Sequence, residues 1–199
     1  MISFPEFSGV RCLMMPYIQG DPGSVPDEYA AYAEILENLS LEPGELGFLT
    51  IDESVAEAGK PHRGKRAKYG RALHTEAGIL RGVYGWGSGP SWGGRRAVTL
   101  ARDARVLIAS NIDDSCAVWD AEYEDTSEDG DIGDRGEFYP YEAARLLKAG
   151  EVANIGILTP HESLPVERTC RRQFLRILSS GVHGREEYFT VNPLVRHAA

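Results

Sequence analysis

"ILTPHESLPVERTCRRQFLRI", residues 157–177, decides how this chain is read. An apolar run ending at Thr159 delivers His161 to its position. Pro165 stops regular pairing just beyond it, because proline has no amide hydrogen to give to a strand ladder. A second extended run, Arg172 to Leu178, then starts with cations. A histidine at a strand end, facing a returning strand that carries arginine, suits a metal-dependent enzyme, provided the rest of the chain supplies partners.

Working outward, most apolar runs are short and punctuated by Gly, Pro, Asp and Asn, as strands are. "ELGFLTI", "RAVTLA", "RVLIASNI", "SCAVWDAEY", "VANIGILT", "RQFLRIL" and "EYFTVN" are the predicted strands. "SVPDEYAAYAEILENL" predicts a helix over about 27–39, with Ser24 or Asp27 as cap and Tyr29, Ala33, Leu36 and Leu39 on one face. "YPYEAARLLKAG" predicts a second, short helix stopped by Gly150. One domain spanning 1–199 is expected, with a β-rich core over about 45–192. The class is α+β, mainly β, forming a barrel or a sandwich.

Bulk chemistry narrows the partners. The net charge of −9 disfavours extended contact with nucleic acid or an anionic membrane. No apolar run reaches membrane-spanning length. The N-terminus lacks a basic segment followed by an apolar one, so a cytoplasmic location is expected. Cys12, Cys116 and Cys170 are odd in number and widely spaced, against a disulfide framework or a thiolate zinc site. Cys116 lies in an apolar run and reads as inert core rather than as a nucleophile.

The second half of a metal site is "HTE", His74 to Glu76. On an extended segment, side chains at i and i+2 share a face. An imidazole nitrogen and a carboxylate oxygen therefore reach one point without special loop geometry. With a histidine from a distant strand they make the facial triad that holds non-haem Fe(II) and leaves coordination positions open. His161 is the candidate third ligand.

The run "GEVANIGILTPHESLPV" followed by "RRQFLRI" resembles the closing strands of Fe(II)/2-oxoglutarate-dependent dioxygenases. The Pro-His-Glu pattern, a proline four residues after the histidine and then an arginine-led strand are most similar to the hypoxia-factor prolyl hydroxylase type. The resemblance implies a double-stranded β-helix (jelly-roll, cupin-like) with flanking helices. It implies His161 as the distal iron ligand, His74 and Glu76 as the proximal pair, and 2-oxoglutarate as co-substrate. It also implies that an arginine after His161 binds the outer carboxylate of 2-oxoglutarate, with Arg171, Arg172 and Arg176 in contention. Glutamate at position 76 departs from the more usual aspartate and is similar to the clavaminate-synthase-like group. "GVHGREEYFTVNP" resembles that group's distal segment and offers a rival register, with His183 as ligand and Arg196 as anchor. The substrate is then a small molecule or peptide.

Three further features stand apart. "DTSEDGDIGDRGE" places Asp125, Ser127 and Asp129 at calcium-ligating positions of an EF-hand loop, but Gly136 stands where the closing glutamate belongs. The basic stretch "KPHRGKRAKYGR" and the glycine- and tryptophan-rich "GVYGWGSGPSWGG" flank "HTE" and suit lids over a site. His62 and His197 read as surface residues. Two alternatives follow: a cupin-like isomerase or hydrolase that uses the metal without 2-oxoglutarate, or a non-catalytic module binding through loops 60–94.

Overall fold

The computed structural model describes residues 1–60, 62, 70–76, 78–80, 83–85, 99–124, 130–179, 182–183 and 189–195. Its strands are β1 (Arg11–Ile18), β2 (Leu46–Ala56), β3 (Gly78–Leu80), β4 (Val83–Gly85), β5 (Thr99–Leu100), β6 (Arg105–Ser110), β7 (Cys116–Val118), β8 (Arg145–Leu146), β9 (Ala153–Gly156), β10 (His161–Ser163), β11 (Cys170–Leu178) and β12 (Val182–His183). They form three antiparallel sheets, ordered β1-β2-β11-β6-β9, β10-β7-β8 and β12-β5-β4-β3. The protein is mainly β with few helices. No helix among the described residues is long and apolar enough to cross a membrane.

Alternation along the strands sorts side chains into separate cores. On β11, Phe174 and Leu178 join Met14, Phe48, Val106 and Ile108 of the five-stranded sheet and Cys116 and Val118 of the three-stranded sheet. This is the interior between those two sheets. Leu175 and Ile177, at the intervening positions, face the other way onto Tyr29, Tyr32, Ile35 and Leu36. The expected N-terminal helix is therefore present and covers the outer face of the large sheet. It begins as a 3-10 segment, Asp27–Tyr32, and becomes α1 at Ala33–Asn38. A third cluster of Leu73, Ala117, Trp119, Ile132 and Tyr139 covers the outside of the three-stranded sheet.

Two expectations fail here. The predicted helix in "YPYEAARLLKAG" is a 3-10 turn, Tyr141–Ala143, followed by β8. Arg145 and Leu146 instead pair with Val118 and Ala117, giving β7 a third strand, so ladder pairing overrides a modest local helix preference. "EYFTVN" forms no strand over its described residues; Thr190 bonds to Leu13, its amide donating to Leu13 O and its hydroxyl accepting from Leu13 N. Conversely "RCLMMPYI" is an edge strand despite Pro16, an allowed place for proline. A bulge between Cys12 and Met15, with Met14 at φ 49°, lets Met14 and Met15 both be buried, one in each core.

The N-terminal segment is fastened by one buried carboxylate. Glu53 Oε2 accepts the amides of Ser8, Gly9 and Val10 at 2.7, 2.5 and 3.3 Å. Its Oε1 accepts from Tyr32 Oη and Gln173 Nε2, each at 2.8 Å. Burial by itself would raise the Glu53 pKa, but these hydrogen bonds outweigh it and hold the carboxyl below its ordinary value. Its stabilisation is thus present above the ordinary carboxylate range and is lost as pH falls through the lowered folded value. Glu53→Gln should cost about 3 kcal/mol at neutral pH. In urea unfolding across a pH series, the gap from wild type should close towards acid; a gap independent of pH would show that the charge is not what the donors use.

Candidate metal centre

The site starts from strand parity. β10 pairs with β7 so that His161, Glu162 and Ser163 stand opposite Val118, Ala117 and Cys116. Opposed residues share a face, so His161 and Ser163 look into the interior with Val118 and Cys116. Glu162 looks outward with Ala117. The "HTE" segment runs alongside β10. His74 and His161 exchange both backbone hydrogen bonds at 2.9 Å. Glu76 N donates to Ile157 O at 2.9 Å, and on the far side Thr75 N donates to Gly130 O at 2.9 Å. Gly130 sits at φ +69°, and a Cβ there would come within 2.4 Å of Thr75 O, so only glycine permits this close approach.

His74, Glu76 and His161 converge. One ligand atom from each lies within 4.8 Å of the others, and the residues are 7%, 2% and 4% exposed. The imidazole rings are 4.0 Å apart between centroids, and His161 Nε2 stands 3.4 Å from Glu76 Oε1. The Nδ1 of His74 lies 2.7 Å from Ala72 O and that of His161 lies 2.9 Å from Thr159 O. A carbonyl only accepts, so each Nδ1 carries a hydrogen, and it is Nε2 of each ring that would offer its lone pair to a metal. A second-site acceptor that orients imidazole in this way is characteristic of metal-ligating histidine. Two neutral imidazoles and one carboxylate suit a divalent transition ion, and this buried group can hold one.

The arginines separate by their place on β11. Arg171 is exposed and lies over the Phe7 ring, 5.2 Å from its centroid, away from the interior. Arg176 is interior. Its Nη1 donates to Glu76 Oε1 and Oε2 at 3.2 and 3.0 Å, and its Nη2 reaches Thr50 Oγ1 at 3.3 Å. Arg172 shares that face, is 4% exposed, and lies over Phe174 at 4.8 Å. Among the described residues its Nε has no hydrogen-bond partner, and no ion pair to it is present. Burial pushes its pKa down. Burial and the Arg172 charge likewise hold His62 below its usual value. His62 is half-buried with an unpartnered Nε2, which corrects its reading as a surface residue.

The remaining candidates are elsewhere. His183 lies on β12 opposite Thr99, in a sheet separate from β10, and its side chain falls outside the described residues. Arg196 and His197 fall outside them too, as do Asp125, Ser127 and Asp129 of the calcium-like loop and most of loops 60–94. The Cys116 thiol is buried and pushed up to about 12, which bars it from acting as a thiolate. Sequence reasoning missed Arg71 and Glu162, which join the two halves of the site from outside. Their one signal was adjacency: Glu162 follows His161, and Arg71 precedes "ALHTE". No family model, curated protein or solved structure matches this chain.

Proposed function

We propose that this chain is a non-haem Fe(II)/2-oxoglutarate-dependent oxygenase on a double-stranded β-helix, oxidising a small-molecule or peptide substrate. The convergence of His74, Glu76 and His161 carries the reading. Two antiparallel sheets enclosing one core, with the donors on the inner face of β10 and on the "HTE" segment beside it, support the architecture. The three cysteines are unpaired, which suits the reducing cytoplasm that belongs to the same proposal.

His74 Nε2, His161 Nε2 and a Glu76 oxygen would hold iron. Bound there, it would supply a chelation point for the keto acid and a site for dioxygen. Arg176 holds the Glu76 carboxylate in place and offsets its charge in a buried site. Arg172 takes the outer carboxylate of 2-oxoglutarate, since a planar guanidinium matches a carboxylate with paired hydrogen bonds. Its burial with no ion pair among the described residues supports this choice over exposed Arg171 and over Arg176, which is already on Glu76. The burial of all three ligands keeps bulk water from the reacting centre.

Anaerobic titration with Fe(II), then 2-oxoglutarate, tests the reading. A weak visible charge-transfer band should grow in with the keto acid. Iron binding with no such band would leave the cupin-like metalloenzyme. No iron binding would leave the module that binds through loops 60–94.

A further inference from the structure

The "HTE" segment and β10 each carry part of the centre, and between them His74 and His161 exchange one pair of backbone hydrogen bonds, with Glu76 N on Ile157 O beside it. The affinity of the site depends on that register. A slip of one residue would turn His74 and Glu76 to the outside, because side chains alternate along an extended segment. On the outer face, directly behind this bridge, lies a polar cluster that the chemistry above does not use.

Glu162 is 2% exposed. Its Oε2 accepts from Arg71 Nε and Nη2 at 3.0 and 2.7 Å. Its Oε1 accepts the Ala72 amide at 2.9 Å and Tyr141 Oη at 3.3 Å. The Arg71 Nη1 donates to Gly136 O and Tyr139 O at 2.8 and 2.9 Å, and its guanidinium lies over the Tyr141 ring at 4.3 Å. Ala72, whose amide is held by Glu162, also presents the carbonyl that orients His74 Nδ1. A buried ion pair is weak support for stability, since well-packed apolar groups often do as well or better; specificity of arrangement is its better-attested use.

We propose that Arg71 and Glu162 are positioning residues whose clamp on Ala72 sets the register of the "HTE" segment against β10 and thereby the affinity of the metal centre. The inference rests on the metal-centre reading. Glu162 follows His161 on the same short strand, so one carboxylate fixes the His74 ring through Ala72 and the His161 backbone through the chain. Arg71 keeps that carboxylate aimed and ties it to the 136–139 turn.

Co(II) binding to the full chain tests this, with Co(II) alone as probe. Glu162→Gln should weaken Co(II) binding by about 10- to 100-fold and shift the ligand-field bands, measured where circular dichroism shows the variant folded. Arg71→Lys keeps the charge but not the forked contact, and should weaken binding several-fold. A lower melting temperature with unchanged Co(II) affinity and bands would overturn the inference. Should neither variant fold, the wild type decides. Coupling is reciprocal, so Co(II) must slow hydrogen exchange at the Ala72 amide, and unchanged exchange there overturns the clamp. If wild type binds no Co(II), the metal centre itself fails; if wild type and Glu162→Gln bind it equally, only the clamp does.

Discussion

His161→Ala is expected to weaken Fe(II) or Co(II) binding by more than about 100-fold, beyond the upper end for loss of an outer-shell partner. His74→Ala should do the same. Both rings give Nε2 to the site while Nδ1 is occupied by a carbonyl, so no rotation of the surviving histidine replaces the missing donor. The fold should survive, because the backbone bonds of the His74–His161 bridge do not depend on either side chain. Metal analysis after dialysis, together with a thermal melt of the metal-free protein, checks both halves. A variant that retains stoichiometric metal would remove His161 from the ligand set, and His183 would be the next histidine to test.

The second large effect concerns Arg172 and has opposite signs for stability and binding. A guanidinium that is 4% exposed and has no ion pair among the described residues costs free energy in the unliganded protein. Arg172→Met retains much of the apolar stem and removes the charge. It should raise unfolding stability by about 1–3 kcal/mol. It should also weaken 2-oxoglutarate binding by about 30-fold or more, the lower end of what truncating one partner of a buried charge pair costs. Denaturant unfolding and titration of the keto acid into the metal-loaded protein read the two effects separately. A destabilised variant that binds 2-oxoglutarate normally would show that Arg172 is structural and that its anion comes from the protein. Such a gain in stability with a loss of function is the usual mark of a site held ready for a ligand.

Much of the candidate centre was legible because its signals are local. The i, i+2 spacing of His74 and Glu76 determines a shared face wherever the segment is extended. The turn residues around "TPHESLP" determine where the strand ends. Alternation on β11 puts Arg172 and Arg176 on one face and Arg171 on the other, but which face is interior follows only from Phe174 and Leu178 lying in the core between the sheets. The second helix failed for the converse reason. Nothing within "YEAARLL" reports that the edge of β7 would take Arg145 and Leu146 as a partner strand.

The sequence by itself determined the strand-rich class, the N-terminal helical cover and the shared face of His74 and Glu76, since each depends on periodicities of a few residues. Tertiary structure decided that His161 stands beside Glu76, that Arg176 grips that carboxylate while Arg172 has no ion pair among the described residues, and that Glu162 and Arg71 lock the two halves together. Those facts are pairings between residues far apart in the chain. Their energy comes from register and burial, which no local window contains.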